Sequence, residues 1–246
     1  MTVKYEFITK YDSVSKAKNY VLDILMHKSI FRSEMRKKSD SMVTKTGLGQ
    51  RYYMNPNYEI YLSKDLQNSI FKKKFVHPMS RDQFFIKINE ELKWKVLSDT
   101  CIIAKFNCQK AEVDYGGRHW IAWFTTDIPL PEGPYYFHGL PGLIIQLADS
   151  EENFVFAATE IKNINNNPLY EIPDGKEITW EQYGKLLQEF FQNPYSSVQV
   201  RGMKVVSDNE NGGYKEIDYR TRIKENQKML LKNNNPIELN HKVEYH

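Results

Sequence analysis

The chain has 246 residues, 41% of them hydrophobic and 13% aromatic, enough for one large core or two small ones. Lysine and arginine number 34 against 31 acids, a net charge of +3, which excludes the strongly basic balance of a nucleic-acid binder. No run approaches the ~18 apolar residues of a membrane helix, and the abundance of Tyr and Phe favours half-buried pleated surfaces, hence β structure.

Period-two alternation marks the strands in chain order. Tyr5, Phe7, Thr9 and Tyr11 share one face of the first. The polar, Lys- and Ser-rich stretch from Arg32 to Gln50 reads as a loop, and its Lys45-Thr46-Gly47-Leu48-Gly49 run lacks the spacing of a phosphate-binding loop. Asn55-Pro56-Asn57 is a turn, followed by strands carrying Tyr58, Ile60 and Leu62, then Phe84, Ile86 and Ile88. Trp94 and Val96 begin another strand. Ala111, Val113 and Tyr115 alternate with Lys110, Glu112 and Asp114, so that strand has one wet face. Tyr115-Gly116-Gly117-Arg118 reads as a hairpin tip. In the next strand Trp120, Ala122 and Phe124 oppose His119, Ile121 and Trp123, apolar on both sides and therefore central.

Pro141-Gly142 suits the middle of a type II turn, with Gly142 at positive φ. Strands over Leu143 to Leu147 and Phe154 to Ile161 follow, joined by the polar turn at Asp149 to Asn153. Short turns between successive strands argue for an antiparallel meander. Thr179 and Gln182 make a capping box ahead of a helical stripe of Trp180, Tyr183, Leu186, Leu187, Phe190 and Phe191, which Asn193-Pro194 ends. A second helix, rich in Arg and Lys, runs from about Tyr219 to Lys232, either a solvated face or a contact for an anionic surface. Asn163 to Pro168 and Asn233 to Pro236 are loops, and Ile237 to Tyr245 is expected as a final short strand. There is no internal repeat. The chain reads as a single β-rich domain, 1–246, whose C-terminal helical part covers about 177–232.

No catalytic motif is present: no GxSxG, HExxH, Walker or dinucleotide pattern. Asp114, His119 and His138 could hold a metal only if separate strands converged, and neither a metal nor another cofactor is expected. Arg118 could bind a carboxylate or phosphate, or pair with Asp127 beside Trp120 and Trp123. Tyr135, Tyr136 and Phe137 form either a core plug or an exposed aromatic ledge. Cys101 and Cys108 lack a zinc spacing. They either face each other across a hairpin with Ala104-Lys105 at its tip, forming a possible disulfide, or lie on one continuous strand with sulfurs on opposite faces.

The hexapeptide Gly139-Leu140-Pro141-Gly142-Leu143-Ile144, with the upstream GR-x-W-x-AWFT-x-x-IP from Gly117 to Pro129, resembles the GLPGLI family of Bacteroidota proteins. The likeness is strongest over about 92–162, with the signature in 117–149, and extends thinly to Asn235-Pro236-Ile237-Glu238-Leu239. It implies a secreted or periplasmic protein without an established activity. Met1 leads straight into a strand-like segment, which by itself reads as a cytoplasmic protein or as a mature chain with a new initiator Met; the resemblance favours the second, with an export signal removed.

The stretch from Trp94 to Ala111 is similar to strand pairs in periplasmic lipoprotein-carrier (LolA-like) proteins, although Ala104 and Lys105 stand where a Gly-containing turn would be usual. That likeness implies a mainly β, α+β fold: a large curved antiparallel sheet or half-barrel around an apolar ligand, covered by the long helix after Thr179. The expected function is non-enzymatic binding of an apolar ligand, a peptide or an outer-membrane partner through Arg118, Trp120, Trp123, Tyr135, Tyr136 and Phe137, with no nucleic acid and no membrane span. The alternative is a hydrolase-type site around Asp114, Arg118, His119 and His138.

Overall fold

A computed structural model describes residues 1–11, 14–49, 60–77, 82–164, 168–208 and 212–246. The expected turn at Asn55-Pro56-Asn57, Tyr58, and the middle of the 163–168 loop lie outside the described residues. Eleven strands follow one another as β1 (Thr2–Tyr11), β2 (Val14–Leu25), β3 (Lys28–Ser33), β4 (Tyr61–Asp65), β5 (Ile70–Val76), β6 (Gln83–Lys87), β7 (Lys95–Ile103), β8 (Phe106–Tyr115), β9 (Arg118–Thr125), β10 (Leu143–Asp149) and β11 (Phe154–Lys162). A two-residue β12 (Lys176–Glu177) completes a 12-stranded sheet in the order β12-β6-β5-β4-β3-β2-β1-β11-β10-β9-β8-β7. Two antiparallel meanders, β1 to β6 and β7 to β11, are zipped together where β1 pairs with β11. Among the described residues only β12 runs parallel to its neighbour, β6. The sheet is mainly antiparallel and not closed into a barrel.

The inner face is aromatic, as the alternation predicts. Tyr5 and Phe7 of β1, Tyr20 and Leu22 of β2, Phe31 of β3 and Leu62 of β4 join Val113, Tyr115, Trp120, Phe124, Leu147 and Phe156 in one core. Strands far apart in sheet order share that core because the 126–142 segment fills the concavity. Tyr136 stacks on Tyr115 of β8 at 4.9 Å and meets Phe71 of β5 edge-on at 5.2 Å. The long helix, α2 (Trp180–Gln192), has the expected Thr179–Gln182 capping box, but covers chiefly β5 and β6 through Tyr183 and Leu187 against Phe75 and Ile86.

Four expectations are corrected. Most of the polar stretch read as a loop is a helix, α1 (Glu34–Thr46), started by the Ser33 hydroxyl accepting from the Arg36 N–H and ended by Gly47 at φ 75. Its buried side is Arg36, Ser39 and Asp40, so no apolar stripe announced it. β9 is not apolar on both sides: Trp120, Ala122 and Phe124 are buried, whereas His119 is exposed and Ile121 and Trp123 are half-buried. The C-terminal tail forms a 3₁₀ turn, Leu239–His241, in place of a strand. Gly142 does not adopt a positive φ, so Pro141-Gly142 is not a type II turn. Glycine is needed there because a Cβ would overlap the Thr125 carbonyl. Within that hexapeptide the positive φ, 92, belongs to Gly139.

Two of the two-residue hairpins place two successive residues at positive φ, the geometry that matches strand twist, whereas the β2–β3 hairpin has only Met26 (55) there. Gly116 (63) and Gly117 (76) form one, as expected; Ala104 (48) and Lys105 (72) form the other without glycine. Beyond α2 lie α3 (Ser196–Val200), a ribbon of β13 (Val206–Asp208) and β14 (Tyr214–Glu216), and the expected second helix, α4 (Tyr219–Lys232), which packs Leu230 against Phe190 and Phe191.

Candidate functional site

The signature block turns inward. Trp120, Tyr135, Tyr136 and Phe137 are fully buried, and Trp120 meets Phe137 at 4.7 Å. The aromatic run is therefore a core plug. Arg118 is also buried, and every bond shown for its guanidinium is internal. Nη1 donates to Asp149 at 3.0 Å, Nη2 to the Pro236 carbonyl at 2.8 Å and to the Asn235 side chain, and Nε to the Ile237 carbonyl at 3.1 Å. Its plane lies over Phe154 at 4.7 Å. Asp149, not Asp127, is its carboxylate partner. Of the six residues expected to bind a ligand, only Trp123 reaches the half-exposed class.

Arg118 and the glycine tip beside it hold the terminal segment as a strap. Ile237 O and the Glu238 Cα approach Gly116 so closely that a side chain there would crowd both, and Asn240 N–H donates to Gly116 O at 3.3 Å. Glu238 is buried beneath the strap. Its carboxylate accepts from Lys73 Nζ at 2.7 Å, from the Tyr115 hydroxyl at 3.2 Å, and from the Tyr135 hydroxyl. Burial pushes this carboxyl's pKa up, but the Lys73 ammonium and the hydrogen bonds from Lys73 and Tyr135 outweigh it and hold the pKa below its ordinary value. A second buried ion pair, Lys64 to Glu132 at 2.5 Å, ties β4 to the 126–142 plug; burial drives the Lys64 pKa down.

The four residues of the alternative hydrolase site do not converge. His119 Nδ1 lies 2.8 Å from Asp114 on the wet side of β8 and β9. Arg118 faces the strap. His138 sits inside, stacked on Phe71 at 4.4 Å, and burial lowers its pKa. Among the described residues no group of three or more His, Cys, Asp or Glu is placed to hold a metal. Cys101 and Cys108 are opposite partners across the β7–β8 hairpin, both free thiols, which removes the continuous-strand alternative. Burial raises the Cys108 thiol pKa.

The outer face of β1 to β4 carries what sequence reasoning missed. Arg32 is buried and donates to Asp40 at 2.8 Å, to Asp23 at 3.4 Å, to Tyr61 Oη at 3.3 Å, and to the carbonyls of Tyr170 (3.1 Å) and Leu169. Arg36 Nε donates to the second Asp40 oxygen at 2.9 Å, and Lys37 and Thr2 donate to Asp23 at 2.7 and 2.8 Å. Burial raises the Asp40 pKa against the pull of Arg36 and Arg32, and pushes Tyr61 up to about 12. The network pins α1 and the 169–174 arm to the sheet. Tyr170 is held at φ 48 with its carbonyl on Arg32.

Beside the network, α1, Tyr170 and the outer side of β1 and β2 enclose a groove of about 600 Å³. Its floor is Thr2 and Val21, its walls are Met42, Ser41 and the Tyr170 ring, and Lys4, Lys37 and Lys38 stand at the rim with Glu34. Lys4 is paired with Glu34 and Glu160, and Lys37 with Asp23. The volume falls in the range of small-ligand sites, which combine apolar walls with a few fixed polar groups. Two signals for this region were readable: an acid, Asp23, inside the apolar run Tyr20 to Leu25, and Ser33 and Gly47 bracketing a run of helix formers.

A family model described as "Protein of unknown function (Porph_ging)" matches residues 115–146, which is β9 with its flanking hairpin tip, the plug and the start of β10. No curated protein matches the chain. Two solved structures of PNGF-II, in the C2 and P21 space groups, are similar over 76% and 75% of this chain, each at 14% identity, with TM-scores of 0.52 and 0.50. The chain spans 32% of the length of either, and the likeness is one of fold. Among the described residues no helix is long and apolar enough to cross a membrane.

Proposed function

We propose that the protein is a non-enzymatic binding protein that takes an apolar ligand in the groove under α1. The observation that carries this reading is the groove itself: about 600 Å³, with Val21, Met42 and Tyr170 in its lining, and braced by the Arg32 network. Tyr170 is a non-glycine residue held in a left-handed conformation, a strain that recurs at ligand clamps. Titrating the protein with a fluorescent apolar probe, and displacing it with a long-chain fatty acid, tests the reading. Ser41→Trp fills the groove and abolishes probe binding while the fold, followed by circular dichroism, is retained. Binding that survives Ser41→Trp unchanged refutes the groove as the site.

The signature residues Gly139 to Ile144 and Gly117 to Pro129, together with the family-model match over 115–146, support a GLPGLI-type protein exported to the periplasm or beyond and associated with the cell envelope. An outer-membrane protein is the partner this location favours. Export makes a second expectation. Opposite residues of an antiparallel pair lie within disulfide reach, so Cys101 and Cys108 become bridged in an oxidising compartment. Intact mass of protein recovered from its own host, before and after reduction and alkylation, reads this directly. Two free thiols in the recovered protein count against export.

A further inference from the structure

The basic helix near the C-terminus is left unused by the groove, and its placement gives it a role. α4 carries Arg220, Lys224, Lys228 and Lys232 at every fourth position, and positions four apart stack on one helical face. All four are exposed. Its fifth cation, Arg222, is paired at 3.1 Å with Glu225, the one acid in the helix. The side away from the ridge is committed to the fold through Leu230, buried against Phe190 and Phe191, and Gln227 at the ridge's edge donates to the Phe191 carbonyl at 3.2 Å. The cationic ridge therefore has a fixed outward direction.

A small lobe joins the start of this helix. Ile217 N–H donates to Val205 O at 3.1 Å, and the Tyr219 hydroxyl accepts from Val205 N–H at 3.2 Å, which hangs α3 and the β13–β14 ribbon on the first turn of α4. The lobe exposes large apolar side chains: Val200 at 89% of its free area, Tyr214 at 76%, Met203 at 56% and Val206 at 51%. The ribbon register pairs Val206 with Glu216 and Asp208 with Tyr214, so Val206 and Tyr214 share one face with these two acids, and Lys204 pairs with Glu216 at 3.0 Å. Leu231, also exposed, lies next to the ridge. Large apolar side chains are exposed elsewhere too, among them Met26, Leu48 and Ile102, but the lobe gathers four of them between residues 200 and 214.

We infer that the α4 ridge and the adjoining lobe form a docking face for an anionic lipid surface. The cations are drawn to the phosphate layer while Val200, Met203, Val206 and Tyr214 enter the headgroup–acyl boundary, the division of labour found in interfacial helices and loops. Charge complementarity selects this occupant: the ridge residues are all positive, while the whole chain is near balance at +3.

Co-sedimentation of the full chain with vesicles of phosphatidylcholine alone, and of phosphatidylcholine mixed with phosphatidylglycerol, tests the inference. Binding is expected only to the mixed vesicles and weakens as salt is raised. The combined change Arg220→Gln, Lys224→Gln, Lys228→Gln removes three surface charges and lowers vesicle affinity on the order of a hundredfold. Val200→Ser with Tyr214→Ser, at exposed positions, lowers it about tenfold or more. Equal binding to both vesicle types, no binding to either, or affinity unchanged by the triple substitution overturns the inference. So does capture by heparin without vesicle binding, which identifies a soluble polyanion as the ligand.

Discussion

The two faces of the sheet are closed by opposite chemistry. The inner face is sealed by rings: Tyr5, Phe7, Tyr20, Phe31, Trp120 and Phe156 meet the Tyr135–Phe137 plug. The outer face of β1 to β4 is sealed by charges: Arg32, Asp23, Asp40, Arg36 and Lys37 meet α1 and the 169–174 arm. Apolar burial is non-directional, so neighbours substitute for one another if volume is kept. Buried charges are satisfied only by particular atoms, so removing one partner strands the others. The ring-packed centre of the inner face is a tolerant scaffold, pinned at the Lys64–Glu132 and Lys73–Glu238 pairs, and the outer face is a pinned assembly whose parts stand or fall together.

The sharpest way to break this contrast is Arg32→Met, which keeps the apolar stem but takes the Arg32 guanidinium away from Asp23 and Asp40, leaving them with Lys37 and Arg36. It is expected to cost about 3–5 kcal/mol in denaturant unfolding. A loss under 1 kcal/mol (roughly a surface effect) removes the pinned-assembly reading. Gly142→Ala forces a Cβ into the Thr125 carbonyl and is expected to cost about 1–3 kcal/mol through backbone displacement. Leu147→Met, a volume-conserving change in the buried inner core, should stay below about 1.5 kcal/mol. Lys105 sits at φ 72 in the β7–β8 tip, so Lys105→Gly relieves left-handed strain and should stabilise by about 1 kcal/mol. No gain in thermal midpoint would contradict that turn geometry.

The strap adds a pH dependence. The Glu238 carboxyl titrates below its unfolded value because Lys73 and then Tyr135 hold the charged form against burial. The unfolded chain then binds the proton more readily, so this stabilisation is complete above the ordinary carboxyl pKa of 4.5 and is lost as pH falls through the lower folded value. Glu238→Gln should be less stable than the parent at neutral pH, with the gap narrowing in acid. A gap that widens in acid would show the sign to be wrong.

Strand positions, the glycine hairpin tip and the α2 capping box were legible because alternation and turn chemistry act locally: Ala111, Val113 and Tyr115 face in, and Lys110, Glu112 and Asp114 face out or to the half-wet side. The inward turn of the aromatic run was not legible. Tyr135 to Phe137 have no period of their own, and only the concavity assembled from β1 to β11 decides between plug and ledge. Arg118 looked like an anion-binding residue because its partners Asn235, Pro236 and Ile237 lie more than a hundred residues away. α1 escaped for a related reason: its buried side is charged, and a polar helix face reads as solvent until Arg32 and Asp23 are seen across from it.

Hydrogen–deuterium exchange with and without a long-chain fatty acid tests most directly whether the inner face is scaffold and the outer groove is the binding site. Protection is expected across α1, residues 34–46, and around Val21 and Tyr170, with the plug at 133–142 unchanged. Protection of 133–142 with α1 unaffected would contradict the account and return the binding role to the signature block.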